Sequence, residues 1–142
     1  MAGLPDQLTL EVAVPERLLA SETVKEVQIP AASGYLGVLP GHAPLMTELG
    51  TGVLAFKTAS GSPPRYMAIN GGIAEVLPDH IRVLADTAEW AEEIDVERAR
   101  KARERASDLL QRHDMEIDVE RAQRAVRRAQ ARLQAAERHK RS

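Results

Sequence analysis

Hydrophobic and polar positions alternate through the first part of the chain. Leu8, Leu10, Val12 and Val14 are separated by single residues, and Val27 with Ile29 and Ile81 with Val83 repeat the period of two. A strand with one buried face needs this period, because successive side chains point to opposite sides of a sheet. Glycine and proline punctuate the same region, among them Pro15, Pro30, Gly34, Gly50, Gly52, the run Gly61 to Pro64, the pair Gly71 and Gly72, and Pro78. Short strands between turns at this spacing predict a β-sandwich or barrel. The glycine pair predicts a bulge or tight bend within a strand.

The pattern changes after Pro78, beyond which there is neither glycine nor proline. From Ala88 onward Ala, Glu, Arg and Gln dominate, and these are strong helix formers. Ala99, Ala102, Ala106 and Leu109 form one stripe at helical spacing, and Ala122, Ala125, Ala129, Leu133 and Ala136 form another. Between them Gln111 to Glu116, QRHDME, offers a polar connection, so the default geometry is an antiparallel hairpin. The heptapeptide EIDVERA begins each helix, at Glu93 and again 23 residues later at Glu116. Asp95 and Asp118 are placed to cap the free amides of a first turn, with Glu97 and Glu120 favoured by the positive end of the helix dipole. Ile94 and Ile117 precede the caps as in a hydrophobic staple. A seam of alanines buries little area, at about 25 cal/mol per Å2, so the hairpin is expected to be weakly held. The expected organisation is an all-β domain over residues 1–88 followed by a two-helix domain over 89–142.

Composition narrows the chemistry. The 142 residues contain no cysteine, which removes disulfides, zinc-thiolate sites and thiol nucleophiles. No run approaches the roughly 18 apolar residues of a membrane span, and the first residues do not read as a secretory leader, so a soluble, cytoplasmic protein is expected. Net charge is −2 but uneven: residues 1–90 hold five basic side chains against ten acidic ones, and from Arg121 onward eight basic residues face only Glu137. A basic final helix could meet nucleic acid, an anionic surface, an acidic protein segment or a phosphorylated ligand. Nucleic acid is the weaker choice, because the tail has no aromatic residues to stack on bases and the chain holds only Tyr35, Phe56, Tyr66 and Trp90. His42, His80, His113 and His139 are scattered without metal spacing, and no G-x-x-x-x-G-K-[ST] loop follows Gly71 and Gly72. Trp90 is expected where sandwich and hairpin join.

The stretch GYLGVLPGHAPLMTELGTG, Gly34 to Gly52, resembles the signature loop of the epsilon subunits of F-type ATP synthases. The likeness extends over LTLEVAVPERLL, YMAINGGIAEVLPDHIRVLADTAE and both IDVERA helix starts. It implies a sandwich of about ten strands followed by a helical hairpin. It further implies a non-catalytic rotor subunit at the foot of the central stalk, peripheral on the cytoplasmic face of a bacterial membrane, within a proton-transporting complex. The sandwich would grip the gamma subunit and touch the rotor ring, with Gly37, Pro40, Gly41, His42, Ala43 and Pro44 as contacts. In an extended state Arg121, Arg124, Arg127 and Arg128 would face an acidic segment of the catalytic beta subunits and block ATP hydrolysis, with alpha a further partner in the head. Some bacterial members bind ATP on the hairpin through I/L-D-x-x-R-A, matched here by Ile94, Asp95, Arg98 and Ala99. The further ligand positions of that pattern fall on Glu89, Arg105, Arg128 and Arg132. The resemblance thus implies no required cofactor, with ATP as a regulatory ligand between the two arginine sets of a folded hairpin; a nucleic-acid-binding module built on the last helix is the alternative.

Overall fold

The computed structural model describes residues 3–58, 60–112 and 116–142. Seven strands precede the helices: β1 (Leu8–Val14), β2 (Arg17–Ala31), β3 (Gly34–Val38), β4 (Leu45–Glu48), β5 (Thr51–Thr58), β6 (Arg65–Leu77) and β7 (His80–Trp90). They form two packed layers, because β2, β6 and β7 each run through both. The first sheet joins β4, the second half of β6, the first half of β7, β1 and the first half of β2. The second joins β3, the second half of β2, β5, the first half of β6 and the end of β7. Cutting each long strand where it changes layer turns the seven into the ten that the resemblance implies. β1 pairs with β7 in parallel and with β2 antiparallel, so the strands close on themselves at that side.

The crossings fall where the sequence permits them. β2 shifts register between Val24 and Glu26, and β6 bends at Gly71 and Gly72, both with positive φ. The core between the layers takes the inward set of each strand, including Leu8, Leu10 and Val12 of β1, Val27 and Ile29 of β2, Leu54 and Phe56 of β5, Met67 and Ile69 of β6, and Ile81 and Val83 of β7. The residues of β1, β2 and β7 among these are the alternating positions that the sequence pattern marks; those of β5 and β6 are additional.

A short 3-10 turn, Ala91–Glu93, leads from β7 to helix α1 (Val96–Gln111), and α2 (Val119–Arg141) follows. β7 continues two residues past the expected boundary at Ala88, pairing Glu89 with Ala68 and Trp90 with Met67. Both caps form as the repeat predicts: Asp95 accepts from the Arg98 amide at 3.0 Å, and Asp118 from the Arg121 amide at 3.1 Å. The centre of the expected connection, residues 113–115 with His113, lies outside the described residues.

The two helices pack on each other, and α2 also packs on β5 and β6. Ala99 and Ala106 are buried on α1, and Ala122 and Ala129 on α2, as the stripes predict. Leu109 departs from its stripe and stands 40% exposed, whereas Leu110 is half-buried. The reason is that a step of four from Ala106 keeps the line of a long seam better than a step of three, since 3.6 residues make a turn. α2 carries a second apolar line absent from the expected stripes: Ala135 joins Val53, Ala55, Tyr66, Ala68, Ala91 and Ile94 in a small cluster on the outer face of the second sheet. Those sheet positions are apolar on both faces because one side meets the core and the other meets α2.

Candidate functional site at the sandwich–hairpin junction

Glu89 stands near the end of β7, on the edge of the second sheet, and Arg132 lies on α2 directly over it. The guanidinium donates through Nε to one carboxylate oxygen at 2.8 Å and through its terminal nitrogen to the other at 3.1 Å. A planar fork on a carboxylate is the strongest ion-pair geometry available to these groups. Here it joins residues 43 apart in sequence, with the Arg132 and Glu89 side chains 28% and 34% exposed. Arg128, one turn before Arg132, lines the same cleft of about 430 Å3, together with Arg17, Asn70, Thr87, Trp90 and Glu93. Arg132 is held by Glu89, which leaves Arg17 and Arg128 as the further cations of a lining that also includes Glu93.

Trp90 forms one wall, as expected of a junction residue. Its ring meets Phe56 edge-on with centroids 6.1 Å apart, and the Arg65 guanidinium lies 4.0 Å over it. Arg65 also donates to Glu92 at 2.7 Å, so one side chain at the start of β6 fixes both the tryptophan and the turn that follows. Burial pushes the Glu92 carboxyl upward, but the hydrogen bonds from Arg65 and from its own backbone, with the charges of Arg65 and His139, hold it below the usual carboxylate range.

Three of the eight expected nucleotide residues therefore share this cleft: Glu89, Arg128 and Arg132. Asp95 caps α1, Ile94 is buried in the cluster under α2, and Ala99 is fully buried in the helix seam. Arg98 and Arg105 are exposed and do not line the cleft, contrary to the expected meeting of the two arginine sets. Each precedes a seam alanine, Ala99 or Ala106, and so points to the flank of α1 instead of into the contact. Arg121, Arg124, Arg127 and Arg128 are all exposed along α2. Gly37, within β3, is exposed, as are Ala43 and Pro44 of the β3–β4 loop, while Pro40, Gly41 and His42 of that loop are half-buried. The Gly41 amide donates to the Pro78 carbonyl at 2.7 Å, and His42 Nδ1 lies 2.7 Å from the Ala43 carbonyl.

One surface escapes the sequence reading. Across the outer face of the first sheet the register aligns Ile73 with Leu84, Leu84 with Ala13, and Ala13 with Leu18. Ile73, Leu84 and Leu18 are 46%, 57% and 56% exposed, a continuous apolar row. The signal was present as apolar residues at both parities, as in Val83–Leu84, which a strand with one wet face does not require. Among the described residues no three His, Asp or Glu side chains converge as metal ligands, and no helix is long and apolar enough to cross a membrane.

Comparison with known proteins agrees with this architecture. Residues 7–91 match the family model of the ATP synthase delta/epsilon chain β-sandwich domain, and residues 92–137 match that of the delta/epsilon long α-helix domain. The chain is 59% identical over 103 residues to the ATP synthase epsilon chain of Solibacter usitatus, covering 72% of this chain and 75% of that one. It is 49% identical over 129 residues to that of Moorella thermoacetica, covering 91% and 96%. Among solved structures, a chain of the Euglena gracilis mitochondrial ATP synthase (OSCP/F1/c-ring) superimposes with a TM-score of 0.83 at 28% identity, over 96% of this chain and 84% of that one. The seam between the two family matches, at residues 91 and 92, coincides with the turn that joins sandwich to hairpin, and the chain belongs to the epsilon-chain family of ATP synthases.

Proposed function

We propose that this ATP synthase subunit works without chemistry of its own, as a central-stalk rotor element whose sandwich docks to gamma and the rotor ring while its hairpin governs ATP hydrolysis by the catalytic head. The carrying observation is the division of surfaces. The hairpin covers the outer face of the second sheet through alanines and a few ion pairs, whereas the first sheet offers the uncovered row Leu18, Leu84, Ile73. An apolar row of this kind suits a permanent partner, and gamma is the partner assigned to it. The family assignment also replaces the reading of α2 as a nucleic-acid-binding helix.

The same reading makes the hairpin detachable. Its contact with the sandwich is made of small apolar side chains such as Ala135 and Ala136, the Glu89–Arg132 fork, His139 beside Glu92 and the Arg138 guanidinium 4.6 Å over the Tyr66 ring. Released, α2 presents Arg121, Arg124, Arg127 and Arg128 to an acidic segment of the catalytic subunits. ATP opposes release by occupying the cleft of Glu89, Arg128 and Arg132, where phosphate meets Arg128 and competes with Glu89 for Arg132. Arg98 and Arg105 join only if the flank of α1 closes over the nucleotide.

The test is a reconstitution. A chain ending after Ala91 is expected to bind gamma as the full chain does and to lose inhibition of ATP hydrolysis; retained inhibition would remove the hairpin from the mechanism. Arg128→Ala in the full chain is expected to weaken ATP binding about ten- to hundredfold, the loss of one charged hydrogen bond. Unaltered calorimetric affinity would move the nucleotide elsewhere.

A further inference from the structure

α2 has a second flank, and it too is basic. Helical periodicity sets Gln130, Gln134, Glu137 and Arg141 roughly opposite Arg128 and Arg132. On that side a groove of about 860 Å3 opens between the two helices and the second sheet. It shares no lining residue with the Glu89 cleft. Its basic residues are Arg100 and Arg103 from α1 and Arg138, Lys140 and Arg141 from α2, against a single acidic one, Glu137. Three of the five are already engaged: Arg100 with Glu97 at 2.6 Å, Arg141 with Glu137 at 3.1 Å, and Arg138 over Tyr66. Arg103 and Lys140 have no partner among the described residues, and the side-chain amides of Gln130 and Gln134 add neutral donors to the same lining.

We infer that this groove is a second anion site, which takes a soluble polyphosphate. The charges come from two helices around a concavity, so a ligand must present several anionic groups in succession to reach both walls. A single phosphate is too small, and a flat membrane surface cannot enter between the helices. Phosphate oxygens suit the guanidinium forks that dominate the lining. The groove needs α1, α2 and the Tyr35–Val53 floor at once, so it exists only while the hairpin is folded on the sandwich. A ligand that binds one of two conformations shifts the population toward it. Polyphosphate in this groove therefore holds the hairpin down, independently of any nucleotide on the other flank.

Sodium tripolyphosphate titrated into the full chain at low ionic strength tests this. Chemical-shift changes are expected at the Gln130 and Gln134 amides. The affinity read from these two amides should fall about tenfold or more in the double variant Arg103→Gln, Lys140→Gln and stay unchanged in Arg82→Gln, on the first sheet and outside both clefts. Because the wild-type shifts locate the ligand, the result does not depend on the variants folding. Three results would overturn the inference: shifts confined to residues around Glu89 and Arg132 with affinity lost in Arg128→Gln, which would support the nucleotide cleft alone; no shifts at all; or binding only to vesicles of equal parts phosphatidylcholine and phosphatidylglycerol, which would make the groove a lipid contact.

Discussion

At Gly72 the backbone has φ of +114°, and a Cβ there would collide with the Leu84 carbonyl and the Ala85 Cα. This residue is where β6 passes from one sheet to the other, and only glycine allows both the conformation and the approach. Gly72→Ala is expected to destabilise the sandwich by about 1–3 kcal/mol from backbone strain alone, with more from the collision. Thermal unfolding should register this as a drop of several degrees, whereas Gly37→Ala, with nothing near its Cβ, should leave the midpoint in place. Gly52 has a different reason to be glycine: the Tyr35 hydroxyl accepts from the neighbouring Val53 amide at 3.0 Å and fills the space a side chain would need. The adjacency of Gly71 and Gly72 predicts a bend. The Tyr35 contact is not legible in the same way, because it depends on a neighbour 17 positions away.

Among the elements, the helix starts were legible because capping is local. Asp95 and Asp118 need only the amide three residues on, and both find it. The faces of α2 were less legible, because an alanine looks the same whether it meets a helix or a sheet. The expected stripes gave the seam with α1, but not Ala131 and Ala135. The turn between β7 and α1 depends on pairing that sequence cannot foresee, with Arg65 reaching across to Glu92. Its carboxyl, held below the ordinary range, links the attachment to pH. A group with a depressed pKa in the folded state stabilises that state above its unfolded pKa and loses the contribution as pH falls through the folded one. The Arg65–Glu92 tie is accordingly intact at neutral pH and fails on acidification below the usual glutamate range of about 4.3. Amide protection in α1 and α2, with the intrinsic pH dependence of exchange divided out, should fall there, and Glu92→Gln should flatten that dependence. An equally steep fall in the variant would place the titration elsewhere.

For the whole molecule, sequence pattern supplied inward residues of β1, β2 and β7 and missed what the outward faces do. Alternation reports which residues are buried by the chain itself, so a row left for another protein reads as noise. Leu84→Asp is expected to change stability by no more than about 0.5 kcal/mol, since the side chain is already exposed, while sharply weakening association with gamma. Sedimentation of the mixed subunits would show it, and undiminished association would return the docking role to the β3–β4 loop. The eight expected nucleotide positions likewise divided once the chain was folded, because residue spacing fixes a helix face but not what lies opposite it.

The continuity of β2, β6 and β7 through both layers has a mechanical consequence. In a sandwich whose sheets touch only through side chains, a tangential load can slip one layer over the other. Here such slip would have to stretch covalent backbone at three separate crossings, so the two layers turn together. A torque applied at the first sheet reaches the second without lag, while the hairpin, joined through the single Ala91–Glu93 turn and otherwise held by side chains, stays free to follow or to lift away.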